Sequence, residues 1–123
     1  MLLVTVGASA DTSSKVPARY RYAGVVENGR GAPTHYIAAG DGIRFRFFDA
    51  LSQGRPSESY RLCVGPPRKA SLRCWNRTAK FGLDELAFSF TLPRDVPLGA
   101  LTARWLFAGR VVASWPFLYV RGG

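Results

Sequence analysis

Few side chains in this sequence have the chemistry of a catalyst. His35 is the only histidine among the 123 residues, so a Ser-His-Asp triad would have to use it. No nucleophile-elbow motif accompanies it, and we interpret it as a loop histidine without a catalytic role. Five acidic residues could pair for glycoside hydrolysis, but most stand at turns, where Asp is favoured by hydrogen bonds to its own backbone: Asp41, Asp49, Asp84, Glu85 and Asp95. We therefore predict no catalytic residue and no enzymatic activity.

The sequence also lacks a motif for a cofactor or a metal ion. It has no phosphate-binding loop, no dinucleotide fingerprint and no calcium loop. Two cysteines and one histidine are too few for a zinc site. We expect no cofactor and no bound metal.

The two cysteines stand on either side of a turn. Cys63 and Cys74 are separated by a stretch that contains Gly-Pro-Pro-Arg-Lys at residues 65–69. If the two arms pair as a hairpin with the cysteines opposite each other, Leu62 lies opposite Trp75 and the cysteines reach disulfide distance. We predict a cross-strand disulfide, which contributes about 3 kcal/mol by closing a short loop. Because disulfides persist in oxidising compartments, this prediction favours a secreted protein.

Residues 101–120 have the pattern of a β-hairpin that carries two tryptophans. Alternate side chains share one face of a strand, so the loop length decides whether the aromatic faces of the two arms coincide. A two-residue turn at Ala108 and Gly109 would scatter the aromatics over both faces. A loop of three residues that starts at Ala108, or a bulged turn, places Trp105 and Trp115 on the same face. We predict this odd loop, with Gly109 at a positive φ and both tryptophans in the core.

Short alternating segments separated by turn residues run through the chain, which holds thirteen glycines and eight prolines. The strand candidates are residues 16–27, 35–39, 43–48, 60–64, 72–78, 86–92, 101–107 and 111–120. About seven or eight such strands predict an all-β antiparallel sandwich or barrel. In a sandwich, inward-facing aromatics fill the layer between the sheets, and the candidates are Phe45, Phe47, Phe88, Phe90, Trp105, Trp115 and Phe117.

The first ten residues differ from the chain that follows. Residues 2–6 are apolar, and Ala8-Ser9-Ala10 has the small-x-small pattern of a signal-peptidase site. The segment is shorter than a usual signal peptide and lacks a basic start, so a first β-strand at residues 2–6 is the alternative. Its apolar run is too short for a transmembrane helix. We predict a remnant of a secretory signal peptide at residues 1–10 and a single domain at residues 11–123, located outside the cell or in its envelope.

The net charge of +9 is spread along the chain rather than gathered in a run. Such a surface favours anionic neighbours, for example a cell-envelope polymer or an acidic glycan. The alternation at residues 44–47 puts arginines and phenylalanines on opposite faces of a strand, whereas binding of single-stranded nucleic acid requires both on one face. We therefore expect a protein or an anionic polymer as partner, and not a nucleic acid.

Exposed aromatic side chains would support a different function. Aromatic rings stack on sugar rings, and a carbohydrate-binding module requires several coplanar aromatics at its surface. The candidates for facing a ligand are Trp75, Tyr60 and Tyr36. A carbohydrate-binding module is therefore the alternative function.

Several motifs follow one another in the second half of the chain. They are the segment from Tyr60 to Cys63, then Cys74, FSFTLP at residues 88–93, and LTARW followed by GRVVASWPF in the final hairpin. In this order they resemble small immunoglobulin-like β-sandwich modules of secreted proteins from high-GC bacteria, over residues 40–120. The cysteine spacing of eleven, and a leucine two positions before the second cysteine, differ from antibody domains. The resemblance implies the sandwich architecture and no functional residue.

Together these observations predict a secreted, non-enzymatic immunoglobulin-like module. Its expected action is by surface contact, in the cell envelope, in adhesion or with a protein partner. Because sandwich folds host many functions, the architecture alone does not select among these partners.

Overall fold

The structure is a computed structural model that describes residues 21–49, 58–68, 73–79 and 85–122. Eight β-strands lie in this part of the chain: β1 (Tyr22–Glu27), β2 (Tyr36–Ala38), β3 (Ile43–Asp49), β4 (Glu58–Gly65), β5 (Arg73–Ala79), β6 (Glu85–Phe90), β7 (Gly99–Phe107) and β8 (Arg110–Val120). Their number agrees with the predicted seven or eight. The predicted signal remnant at residues 1–10 and the acidic residue Asp84 lie outside the described residues.

The strands form two sheets that pack face to face. A three-stranded sheet has the order β1-β3-β6, and a five-stranded sheet has the order β2-β8-β7-β4-β5. Neighbouring strands are antiparallel except β2 and β8, which pair in parallel. The predicted all-β sandwich is therefore confirmed, with one parallel pairing in addition. That pairing involves a strand of three residues, and side-chain alternation does not indicate whether two strands pair in parallel.

Alternation turns one face of each strand toward the opposite sheet. Along β3, the buried positions are Ile43, Phe45, Phe47 and Asp49, with more exposed residues between them. Five of the seven aromatics assigned to the core are buried, namely Phe45, Phe47, Phe88, Trp105 and Phe117. The other two, Phe90 and Trp115, are partly buried and pack against this core.

Trp105 of β7 is fully buried at the centre of the sandwich. Its ring stacks toward Phe47 of the other sheet, with 6.3 Å between ring centroids. Gly24 of β1 lies directly against the indole, and a Cβ built on Gly24 would be 2.9 Å from Cδ2 of Trp105 and closer still to Cε3 and Cζ3. The strand can therefore cross the tryptophan at this distance only because position 24 has no side chain.

Of the two alternatives predicted for the β7–β8 hairpin, the structure has a bulge rather than a three-residue loop. The turn consists of two residues, Ala108 at φ 53° and Gly109 at φ 78°, and not of three. A β-bulge beside Trp105 supplies the odd residue, so that Trp105 pairs with Ala113 as the predicted register requires. A two-residue turn with positive φ at both positions matches the twist of the strands, and the bulge then returns the aromatics to the inner face.

We predict that Gly24→Ala destabilises the protein by about 1–3 kcal/mol, because the added methyl group overlaps the Trp105 ring. Urea unfolding followed by circular dichroism measures the change. Gly29→Ala is the matched control, since a Cβ there would be 4.0 Å from its nearest neighbour, and it should change stability by less than about 0.5 kcal/mol. Equal effects of the two substitutions would show that the contact with Trp105 does not limit the packing.

We predict that Ala108→Asn stabilises the protein by about 0.5–1 kcal/mol. Ala108 occupies the left-handed region at φ 53°, which an L-residue other than Gly, Asn or Asp adopts at a cost. Asn followed by Gly is the preferred sequence for such a turn. Thermal and urea unfolding of the variant would give the sign, and a lower midpoint than that of the parent chain would contradict the assigned turn.

Candidate interaction surface

The acidic residue Asp49 is not at a turn, contrary to the sequence prediction. It is the last residue of β3, faces the inside of the sandwich and is 2% exposed. Nε and Nη2 of Arg21 donate to its two oxygens at 2.8 and 3.1 Å, and the Tyr60 hydroxyl donates to Oδ2 at 2.7 Å. The carboxylate therefore joins the three-stranded sheet to β4 of the five-stranded sheet, which is a structural role.

Other carboxylates are held apart from one another. Glu27 is buried and accepts a hydrogen bond from Arg46 at 2.8 Å, whereas Asp95 accepts one from Arg73 at 2.6 Å on the surface. Asp41 lies in the exposed turn before β3. Among the described residues, no three His, Cys, Asp or Glu side chains lie close enough to hold a metal ion. The described part of the chain also contains no helix long and apolar enough to span a membrane.

The exposed His35 is stacked on Trp115. The two rings are nearly parallel, with 4.2 Å between their centroids and 2° between their planes. Nδ1 of His35 is 2.5 Å from the carbonyl oxygen of Pro116, and Nε1 of Trp115 donates to the carbonyl of Thr34 at 2.7 Å. Since a carbonyl only accepts, Nδ1 carries the proton in this contact. These contacts hold the segment before β2 against β8.

The three aromatics proposed to face a ligand do not form one platform. Tyr36 is 62% exposed on the outward face of β2, at one edge of the five-stranded sheet. Trp75 lies on the opposite edge strand, half-buried and packed against Phe90 at 4.5 Å between ring centroids. Placing Tyr60 at a ligand was wrong: it is 2% exposed, because it shares the inner face of β4 with Leu62.

The outward face of the five-stranded sheet has a distinctive charge. The predicted disulfide between Cys63 and Cys74 lies on it, with the two residues directly paired and 4.1 Å between their Cα atoms. Several outward side chains of this sheet are small and uncharged, among them Ser59, Asn76, Thr78, Ser114 and Pro116, and exposed apolar side chains stand on the same face at Tyr36, Val111 and Leu118. Arg61 and Arg104 are charged, and no Asp or Glu stands at a described outward position of the strands of this sheet.

Neutral groups accept hydrogen bonds from both arginines on this face. Nε of the exposed Arg61 donates to Oδ1 of Asn76 at 3.0 Å. Nη2 of Arg104 donates to the carbonyls of Pro66 and Pro67 at 3.1 and 2.6 Å, in the turn that joins β4 to β5. This face is not evident from the sequence, because outward positions of five strands become one surface only when the strand order is known.

We predict that Asp49→Asn destabilises the protein by about 3 kcal/mol, because it leaves the guanidinium of Arg21 without its carboxylate in a site where the two side chains are 9% and 3% exposed. Asp95→Asn is the matched control, since the Arg73–Asp95 pair is exposed and its loss should cost less than about 1 kcal/mol. Urea unfolding of both variants tests the difference. If they lose equal stability, the buried carboxylate does not tie the sheets together.

No protein-family model and no curated protein matches this chain. Among solved structures, the chain is similar to an immunoglobulin-like protein from Pseudomonas aeruginosa at 13% sequence identity and a TM-score of 0.50. The similarity covers 80% of this chain and 90% of that chain. At this identity the likeness shows the fold alone. The order of strands in the two sheets and this likeness together give the chain an immunoglobulin-like β-sandwich fold.

Proposed function

We propose that this protein is a secreted, non-enzymatic binding module that uses the outward face of its five-stranded sheet to hold an anionic polymer of the cell envelope. The observation that carries the proposal is the charge of that face: Arg61 and Arg104 stand on it, and its described strand positions hold no carboxylate. Small side chains beside them leave the guanidinium of Arg61 accessible to an extended partner.

The distribution of ion pairs supports an anionic partner. Three of the described carboxylates each form an ion pair with an arginine at 2.6–2.8 Å: Glu27, Asp49 and Asp95. Each of these carboxylates neutralises the arginine beside it. The positive charges that give the chain its net charge of +9 therefore lie at other positions. A cationic surface raises the local concentration of an anionic polymer and speeds its association.

Arginine suits this role better than lysine. Its planar guanidinium donates two parallel hydrogen bonds to a carboxylate or a phosphate, and it stays charged at every physiological pH. The Nε–H of Arg61 donates to Oδ1 of Asn76, and this hydrogen bond fixes the plane of the guanidinium before a partner binds. An arginine oriented in advance loses less conformational entropy on binding.

The proposed location outside the cytoplasm is supported by the disulfide and by the apolar N-terminal segment. The Cys63–Cys74 bond lies in a hairpin that closes a short loop. Such bonds are maintained in oxidising compartments and are reduced in most cytosols. Intact-mass measurement of the protein from its native host would show whether the chain starts near Asp11 with both cysteines oxidised.

We predict that the protein binds poly-L-glutamate at low salt and that Arg61→Gln weakens this binding about 2–5-fold, since it removes one charge pair. Isothermal titration at several salt concentrations measures the affinity, which should fall as salt rises. Arg30→Gln is the matched control: it removes the same charge from the exposed loop between β1 and β2, outside the proposed face.

Two results would overturn the proposal. One is an equal loss of affinity in the two variants, which would assign binding to net charge rather than to this face. The other is an absence of poly-L-glutamate binding at low salt. Circular dichroism and the unfolding midpoint of each variant exclude loss of structure as the cause of a weaker affinity.

A further inference from the structure

A groove of about 660 Å³ opens at one end of the sandwich. Three segments that are distant in sequence form it: the turn after β2, residues 91–98 after β6, and Tyr119 near the end of β8. A volume of this size falls in the range of small-molecule sites. The backbone N–H of Val96 donates to the carbonyl of Pro93 at 3.1 Å, which fixes the turn that forms one wall.

The groove has an apolar base and an apolar side chain at its rim. Leu92 and Val96 are each 4% exposed and form its base, where they belong to the hydrophobic core. Leu98 is 49% exposed and contributes an apolar side chain to the rim. Burial of this apolar rim by an apolar ligand would be favourable by about 25 cal/mol for each Å² removed from water.

The groove contains a full positive charge, the guanidinium of Arg94. Arg94 is exposed and lines the groove, and it makes no hydrogen bond or ion pair with the part of the chain that the structure describes. The neighbouring Asp95 does not neutralise it, because Asp95 is held by Arg73 at 2.6 Å. Among the described residues that line the groove, Arg94 is the one with a permanent charge.

Tyr119 supplies a second polar group at the same place. Its ring is 4% exposed and also lines the groove. Desolvation by burial raises the pKa of the Tyr119 phenol, so the hydroxyl keeps its proton and remains a donor well above neutral pH. The guanidinium of Arg94 and the hydroxyl of Tyr119, beside an apolar wall, are complementary to a ligand with one anionic group and an apolar tail.

We propose that this groove binds a small apolar molecule that ends in a carboxylate, of the class of medium-chain fatty acids. The guanidinium of Arg94 receives the carboxylate, and Leu92, Val96 and Leu98 contact the aliphatic chain. This site is separate from the face proposed to hold a polymer, and it selects a different chemistry. The polymer needs charge along its length, whereas the groove ligand needs one charge and an apolar body.

Titration of the isotope-labelled protein with octanoate, followed by amide chemical shifts, tests the proposal. Octanoate should shift the amides of Gly40 and Leu98, whereas acetate lacks the apolar tail and octanol lacks the charge, so each should bind at least about 10-fold more weakly. Arg94→Gln should weaken octanoate binding about 10-fold or more. The matched control is Arg110→Gln, which removes an exposed arginine at the other end of β8 and should leave octanoate affinity unchanged.

A second variant tests the apolar wall. Leu98→Asp places a carboxylate at the exposed rim, so octanoate binding should be lost while the far-ultraviolet circular dichroism stays that of the parent chain. Equal affinities for octanol and octanoate, an unchanged affinity in Arg94→Gln, or shifts that miss Gly40 and Leu98 would each overturn the proposal. Arg94→Gln should retain its affinity for poly-L-glutamate, so failure of this site is distinguishable from failure of the polymer-binding face.

Discussion

The contact between Trp105 and the backbone of Gly24 is the constraint on which the rest of the sandwich depends. The indole is fully buried on the central strand β7, and the absence of a side chain at position 24 lets β1 pack directly over it. The indole Nε1 has no hydrogen-bond partner among the described residues, a cost of about 1–3 kcal/mol that the packing of the ring must offset. The β-bulge beside Trp105 follows from the same need, because without it the second arm of the hairpin would turn its aromatic face to solvent.

Alternation and turn chemistry predicted much of this fold. Three predictions depend on the two-residue period of a strand, which the sequence displays locally: the strand over residues 43–48, the direct pairing of Cys63 with Cys74, and the burial of Trp105. Alternation does not give the position of the odd residue in the last hairpin. A count of residues shows that one extra residue is needed, but the choice between the turn and a bulge depends on φ angles and strand twist.

The buried carboxylates were missed for a different reason. Asp49 and Glu27 each end a strand, where an acidic residue usually marks a turn in solvent. Their arginine partners are 28 and 19 residues away, and no local pattern pairs them. The two proposed binding surfaces were missed for the same reason, because each combines residues that are distant in sequence. The arginine-bearing face needs the order of five strands, and the groove needs three segments brought together by the closure of the sandwich.

The arginines of this chain therefore have two roles, and the burial of each side chain determines which role it has. Arg21 is almost fully enclosed, and there its charge is tolerated because it pairs with Asp49, whose carboxylate also accepts a hydrogen bond from the Tyr60 hydroxyl. Arg61 and Arg94 are exposed, where the cost of holding an uncompensated guanidinium is small because water solvates it. A carboxylate of a partner forms with an accessible surface arginine the same kind of ion pair that Asp49 forms with Arg21 inside the sandwich. The same interaction thus stabilises the fold within the sandwich and is available for recognition at its surface.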